Sequence, residues 1–158
     1  MTQRKQHVFT TADIEPRIGS GYPPPFNEIS PTRSKWAVGD RAGLNHFGVN
    51  VVNLPPGDGS AQRHWHENED EFVYVVSGEL VLVTDDGEET MGPGDMAGFP
   101  AGIENGHHLV NRSDDDAVFL EIGTRAEHDI CHYPDIDMRA KQRNNDAVFT
   151  KKNGDPID

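Results

Sequence analysis

The stretch Arg63-His64-Trp65-His66-Glu67-Asn68-Glu69-Asp70-Glu71-Phe72-Val73-Tyr74-Val75-Val76-Ser77-Gly78 decides the reading of this chain. From Glu71 onward it is a short β-branched and aromatic run closed by glycine, the composition of a strand. In extended backbone successive side chains alternate faces, so His64 and His66 point one way and Trp65 the other. Two imidazoles therefore converge without a helix. A carboxylate at Glu71 and a third imidazole at His107, presented from neighbouring strands, would complete a nitrogen and oxygen set suited to a divalent transition metal.

The same run is apolar on both faces after Glu71. One face is expected to line a barrel beside Glu71, while Phe72, Tyr74 and Val76 need a second cover, either the amino-terminal arm or another subunit. Working outward, similar short runs separated by Gly, Pro and Asp clusters extend over 47–54, 62–66, 79–84, 88–91, 95–99, 107–111, 117–123 and 147–150. Asp85-Asp86-Gly87 marks a hairpin turn. Strands this short and this evenly punctuated predict an all-β domain of sandwich or barrel type. Residues 1–44, broken by Pro23-Pro24-Pro25 and Pro31, predict an irregular arm, and its Ile14, Ile18, Tyr22, Phe26, Ile29 and Trp36 are expected to lie on the barrel. Residues 126–158 form a polar carboxy-terminal extension.

Composition narrows the partners. The chain has 158 residues, 34% hydrophobic, with 16 Gly and 11 Pro, which suits many short strands in one domain. A formal charge of −13 opposes nucleic acid and anionic membrane surfaces. No helix-turn-helix pattern supports the sensor half of a transcription regulator. No apolar stretch approaches a membrane span, and the polar start lacks the apolar run of an export signal, so the cytoplasm is the expected compartment. Cys131, alone, can form no internal disulfide and carries no metal-cluster spacing, so it reads as a small buried residue.

Two spaced motifs support a family resemblance. Gly57, His64, His66, Glu71 and Gly78 follow one pattern; Gly94, Pro100, Gly102, His107 and Asn111 follow a second. Over about residues 45–125 the chain resembles the cupin superfamily, and more closely a group of small bacterial single-domain cupins, some described as sugar-phosphate isomerases. Gly57 to His64 and Gly102 to His107 are each longer than the usual spacing, and both differences fall in loops. The resemblance implies a double-stranded β-helix, or jelly-roll barrel, flanked by the arm and the extension. It selects Glu71 over Glu69 and Asp70, which read as a solvated charge run, and it favours His107 over His108. The implied site is His64, His66, Glu71 and His107 on a divalent transition metal, Mn, Fe, Ni, Cu or Zn, with coordination positions left for a small-molecule ligand or substrate. Cupin barrels of this size also imply a homodimer.

The expected activity is metal-dependent chemistry on a small oxygenated metabolite: isomerisation of a sugar or sugar phosphate, or oxygen insertion by a dioxygenase. The alternative is a binding barrel without turnover. Glu104 and His108 are the candidate bases for proton transfer. Arg63, Arg112 and Arg125 are the arginines near the barrel segments that could meet a phosphate. Trp65, His7, His46, His128 and His132 are expected to pack or to face solvent.

Overall fold

A computed structural model of the chain describes residues 7–144 and 146–157. The first six residues, on which the reading of the polar start rests, lie outside the described residues. Among the described residues thirteen strands follow one another: β1 (Arg17–Ile18), β2 (Ser34–Trp36), β3 (Phe47–Leu54), β4 (Trp65–His66), β5 (Glu71–Ser77), β6 (Leu80–Thr84), β7 (Gly87–Met91), β8 (Met96–Phe99), β9 (His108–Val110), β10 (Ala117–Thr124), β11 (His128–Tyr133), β12 (Met138–Arg143) and β13 (Asp146–Thr150). The helical pieces are a few residues each, so the chain is all-β.

The strands form three sheets, ordered β1-β2-β3-β10-β5-β8, β13-β12-β11-β4 and β7-β6-β9. Alternation places Val73 and Val75 of β5 inside with Val52, Leu54, Leu80, Leu82, Leu109 and Phe119, which make up the main core. A second, smaller apolar cluster joins Cys131, Tyr133, Met138 and Ala140 to Tyr22 and Phe26 of the arm.

Every strand expected between residues 47 and 123 is present, with Asp85-Asp86 joining β6 to β7 where Thr84 pairs with Gly87. The arm is more regular than expected, because β1 and β2 add to the edge of β3 as further strands of the large sheet. Its apolar residues also divide. Tyr22 and Phe26 pack on the carboxy-terminal sheet, not on the main core, and Ile18 is exposed. Among the described residues the outer face of β5 stays open: Phe72, Tyr74 and Val76 remain 39%, 37% and 47% exposed. The extension is likewise ordered, as β11, β12 and β13 form a meander that pairs with β4 and so carries one wall of the histidine cluster. No described helix is long and apolar enough to cross a membrane.

Candidate metal centre

Backbone pairing explains how the imidazoles meet. His64 and His107 sit opposite each other and exchange both backbone hydrogen bonds, His64 N to His107 O at 3.2 Å and His107 N to His64 O at 2.9 Å. Their rings consequently lie side by side, with centroids 4.7 Å apart. Two residues on, the His66 ring lies 5.0 Å from that of His64. Glu71 enters from β5, and its cross-strand neighbour Phe99 on β8 stacks flat on His107 at 3.6 Å, fixing that ring.

The four side chains meet on one carboxylate oxygen. Glu71 Oε2 lies 2.6 Å from His107 Nε2, 3.2 Å from His64 Nε2 and 3.5 Å from His66 Nε2. His64, Glu71 and His107 offer donor atoms all within 4.8 Å of one another, and His66 groups with His64 and Cys131 on the same criterion. The far nitrogens are held from behind: His64 Nδ1 donates to the Gln62 carbonyl at 2.7 Å, and His66 Nδ1 donates to Asp129 Oδ2 at 2.6 Å. With Nδ1 carrying the proton, each Nε2 turns a lone pair toward Glu71. Lone pairs facing a carboxylate in a largely buried cluster repel unless a cation lies among them.

The ionisation behaviour follows the same logic. Burial opposes a charge on His64, but Glu71 outweighs it and holds the imidazole up to about 9. His66 is likewise raised against the effect of burial by Asp129, Cys131 and Glu71, whereas for His107 burial prevails and the value is lowered. Burial would raise Glu71, yet the surrounding imidazoles hold it well below the ordinary carboxylate range. The cluster thus takes up positive charge, as protons or as a metal. Its donors, imidazole nitrogen and carboxylate oxygen, fit a divalent transition ion.

Three readings from sequence change. Cys131 is buried as expected, but it lies directly across from His66 on β11, with its sulfur in a donor group with His64 and His66 that its lone place in the sequence did not suggest. Glu69 is not a solvated charge: its side chain is 12% exposed, accepts the Ala126 amide at 3.0 Å and lies near His66. Glu104 is exposed and lines none of the cavities at the cluster, whereas His108 lines one of them and donates from Nδ1 to the Ala61 carbonyl at 2.8 Å. Asp129, which orients His66, was missed. Its signal is the alternation Asp129-x-Cys131-x-Tyr133, three buried residues on the inner face of β11. Trp65 packs on His132 with rings 4.2 Å apart, and Asn111 binds the Leu54 and Asp115 carbonyls, so both are structural.

Two sizeable cavities reach the cluster. One, of about 520 Å³, includes His66, Glu71 and His107 together with Asp86, Glu88 and Glu89. The other, of about 500 Å³, joins His64, His66 and Glu71 to Arg17, Arg33 and Lys35 of the arm. The arginines expected from sequence are all neutralised elsewhere: Arg63 by Asp85 and Asp135, Arg112 by Glu88, and Arg125 by Asp40.

Comparison with known proteins agrees with this architecture. A cupin domain family profile matches residues 50–123. A crystal structure of a sugar phosphate isomerase of the cupin superfamily from Silicibacter pomeroyi is 48% identical, covers 96% of each chain and superposes with a TM-score of 0.91. The chain belongs to the cupin superfamily. Its likeness to a protein from Acidithiobacillus ferrooxidans, provisionally described as a sugar phosphate isomerase, is 26% identity and a TM-score of 0.78 over 96% of both chains. A polyketide cyclase from Streptomyces resistomycificus, 22% identical over 78% of this chain and 80% of its own with a TM-score of 0.59, shares the fold alone. No curated protein matches the chain.

Proposed function

We propose that this cupin is a metal-dependent isomerase of a small sugar phosphate. The observation that carries the reading is the meeting of three imidazole Nε2 atoms on the Glu71 carboxylate where two cavities open. His64, His66, Glu71 and His107 would hold the ion, with Asp129 and the Gln62 carbonyl orienting two of the rings. When bound, a divalent ion supplies Lewis acidity to the adjacent oxygens of a hydroxy-carbonyl substrate. The description of the Silicibacter relative supports isomerisation over the dioxygenase alternative.

Around that ion the chain's own groups do separate work. Phe99 and Leu82 give the cluster apolar walls, which exclude water. His108 lines a small cavity with His64, Glu71 and His107 and is the candidate to move a proton between neighbouring carbons. We further read the chain as a homodimer. Phe72 and Tyr74, with Met96 paired beside Tyr74, leave an uncovered apolar face suited to a second copy.

Elemental analysis of protein purified without chelator, followed by aldose and ketose phosphate turnover assays, tests the function. Near-stoichiometric metal and interconversion that both disappear in His64→Ala are expected. Metal-free protein that takes up no cation on titration would overturn the reading.

A further inference from the structure

The two cavities that meet at the imidazole cluster differ in their charged lining. Asp86, Glu88 and Glu89 line one, which has no Lys or Arg in its lining, whereas the other sets Arg17, Arg33 and Lys35 beside Glu69, Glu71 and Glu121. In a chain of net charge −13 such a gathering of cations is unusual.

The arm builds it with adjacent strands. Arg17 on β1 pairs directly with Lys35 on β2, so two like charges face each other across the ladder, an arrangement that destabilises unless an anion joins them. Arg33, two residues before Lys35, falls on the same side by alternation. Lys35 is already matched, with its ammonium 2.5 Å from Glu121. Arg33 is not. It is 6% exposed and binds the Ser60 and Gly19 carbonyls through its terminal nitrogens, while Nε is buried with no hydrogen-bond partner. No ion pair of Arg33 or Arg17 forms among the described residues, in contrast to Arg63, Arg112 and Arg125. A buried guanidinium whose charge is balanced only at a distance carries a desolvation cost that a bound anion relieves.

We infer that the arm-side cavity is an anion subsite in which Arg33 and Arg17 seat the phosphate end of the substrate, while the imidazole cluster faces its oxygenated carbon end. This rests on the isomerase reading for the identity of the substrate, but the anion site stands on the arginines alone. The guanidinium fork, which matches phosphate oxygens in pairs, favours a phosphomonoester. The other cavity offers no Lys or Arg in its lining, which favours this orientation of the substrate.

The test is calorimetric titration of the full-length protein with inorganic phosphate, with acetate in a parallel arm and Arg112→Gln as a control on the other side of the barrel. Saturable phosphate binding is expected, weakened about tenfold in Arg17→Gln, lost in Arg17→Gln/Arg33→Gln and unchanged in Arg112→Gln. Arg17 is exposed on a short edge strand, so its variant decides the matter even if the Arg33 substitution unfolds the chain. Phosphate affinity unaltered in a folded Arg17→Gln variant, or acetate bound more tightly than phosphate, overturns the proposal. Arginine-dependent phosphate binding without isomerase turnover would sink the activity and leave the subsite standing. Turnover with arginine-independent phosphate binding would do the reverse.

Discussion

Glu71 Oε2 is the point at which three rings meet, and the charge of the cluster depends on it. In the metal-free protein His64 is held up to about 9 against an ordinary 6.5, because Glu71 prevails over burial. A folded-state value raised in this way stabilises fully below the unfolded pKa, and the contribution is lost as pH climbs through the folded one. Metal ligation needs the lone pair that the proton occupies, so it improves over the same interval. From pH 6.5 to about 9 the chelator-treated protein is expected to melt at falling temperature while its affinity for Zn²⁺ rises. Melting curves and zinc titrations at matched pH check the two opposed slopes, and His64→Gln should flatten the first. Among the candidate ligands, alternation is a local rule and put His64 and His66 on one face, while the family motifs picked out Glu71 and His107. Asp129 and Cys131 were not visible, since they reach His66 through the pairing of β11 with β4, distant in the chain, and Arg33 lines the arm-side cavity through side-chain bonds to the Ser60 and Gly19 carbonyls.

Among the elements, β5 carries the carboxylate on which the rings meet, and the turn that follows it allows little change. Gly78 has φ +78°, and a Cβ there would stand 2.7 Å from both the Ala117 Cα and the Asp116 carbonyl oxygen. Neither backbone atom can yield cheaply. Gly78→Ala is expected to cost about 3 kcal/mol from backbone strain and overpacking. At this chain length that lowers the melting temperature by roughly 10 °C, readable by calorimetry. The strands from β3 to β10 were visible in sequence because apolar alternation and turn residues agree there. The run at 147–150 was read as well and is β13, but the other strands of the arm and the extension were hidden: β1 is two residues long, and Met138–Arg143 is mostly polar and charged, held by its meander partners rather than by its own pattern.

For the whole molecule, the outer face of β5, with Met96 of β8 and Ile122 of β10 paired beside it, is an apolar surface left open among the described residues. Light scattering at micromolar concentration is expected to give twice the chain mass, and Tyr74→Glu to shift the population to single chains with the fold retained. A single-chain mass for the unaltered protein would remove the basis for the homodimer. Arg63 ties three loops together, beside the bonds that join Asn105 to Asp85 and Asp86. Arg63 holds Asp135 through two hydrogen bonds of 2.7 and 2.8 Å, reaches the Gly106 carbonyl at 3.2 Å and pairs with Asp85. It thereby buckles the hairpin tip at Asp85, the turn after β11 and the loop that delivers His107 into one rim. That rim sets how far the third imidazole can drift from its neighbours. Exchanges at Asp85 or Asp135, far from any chemistry, would therefore retune the grip on the ion while leaving every donor in place.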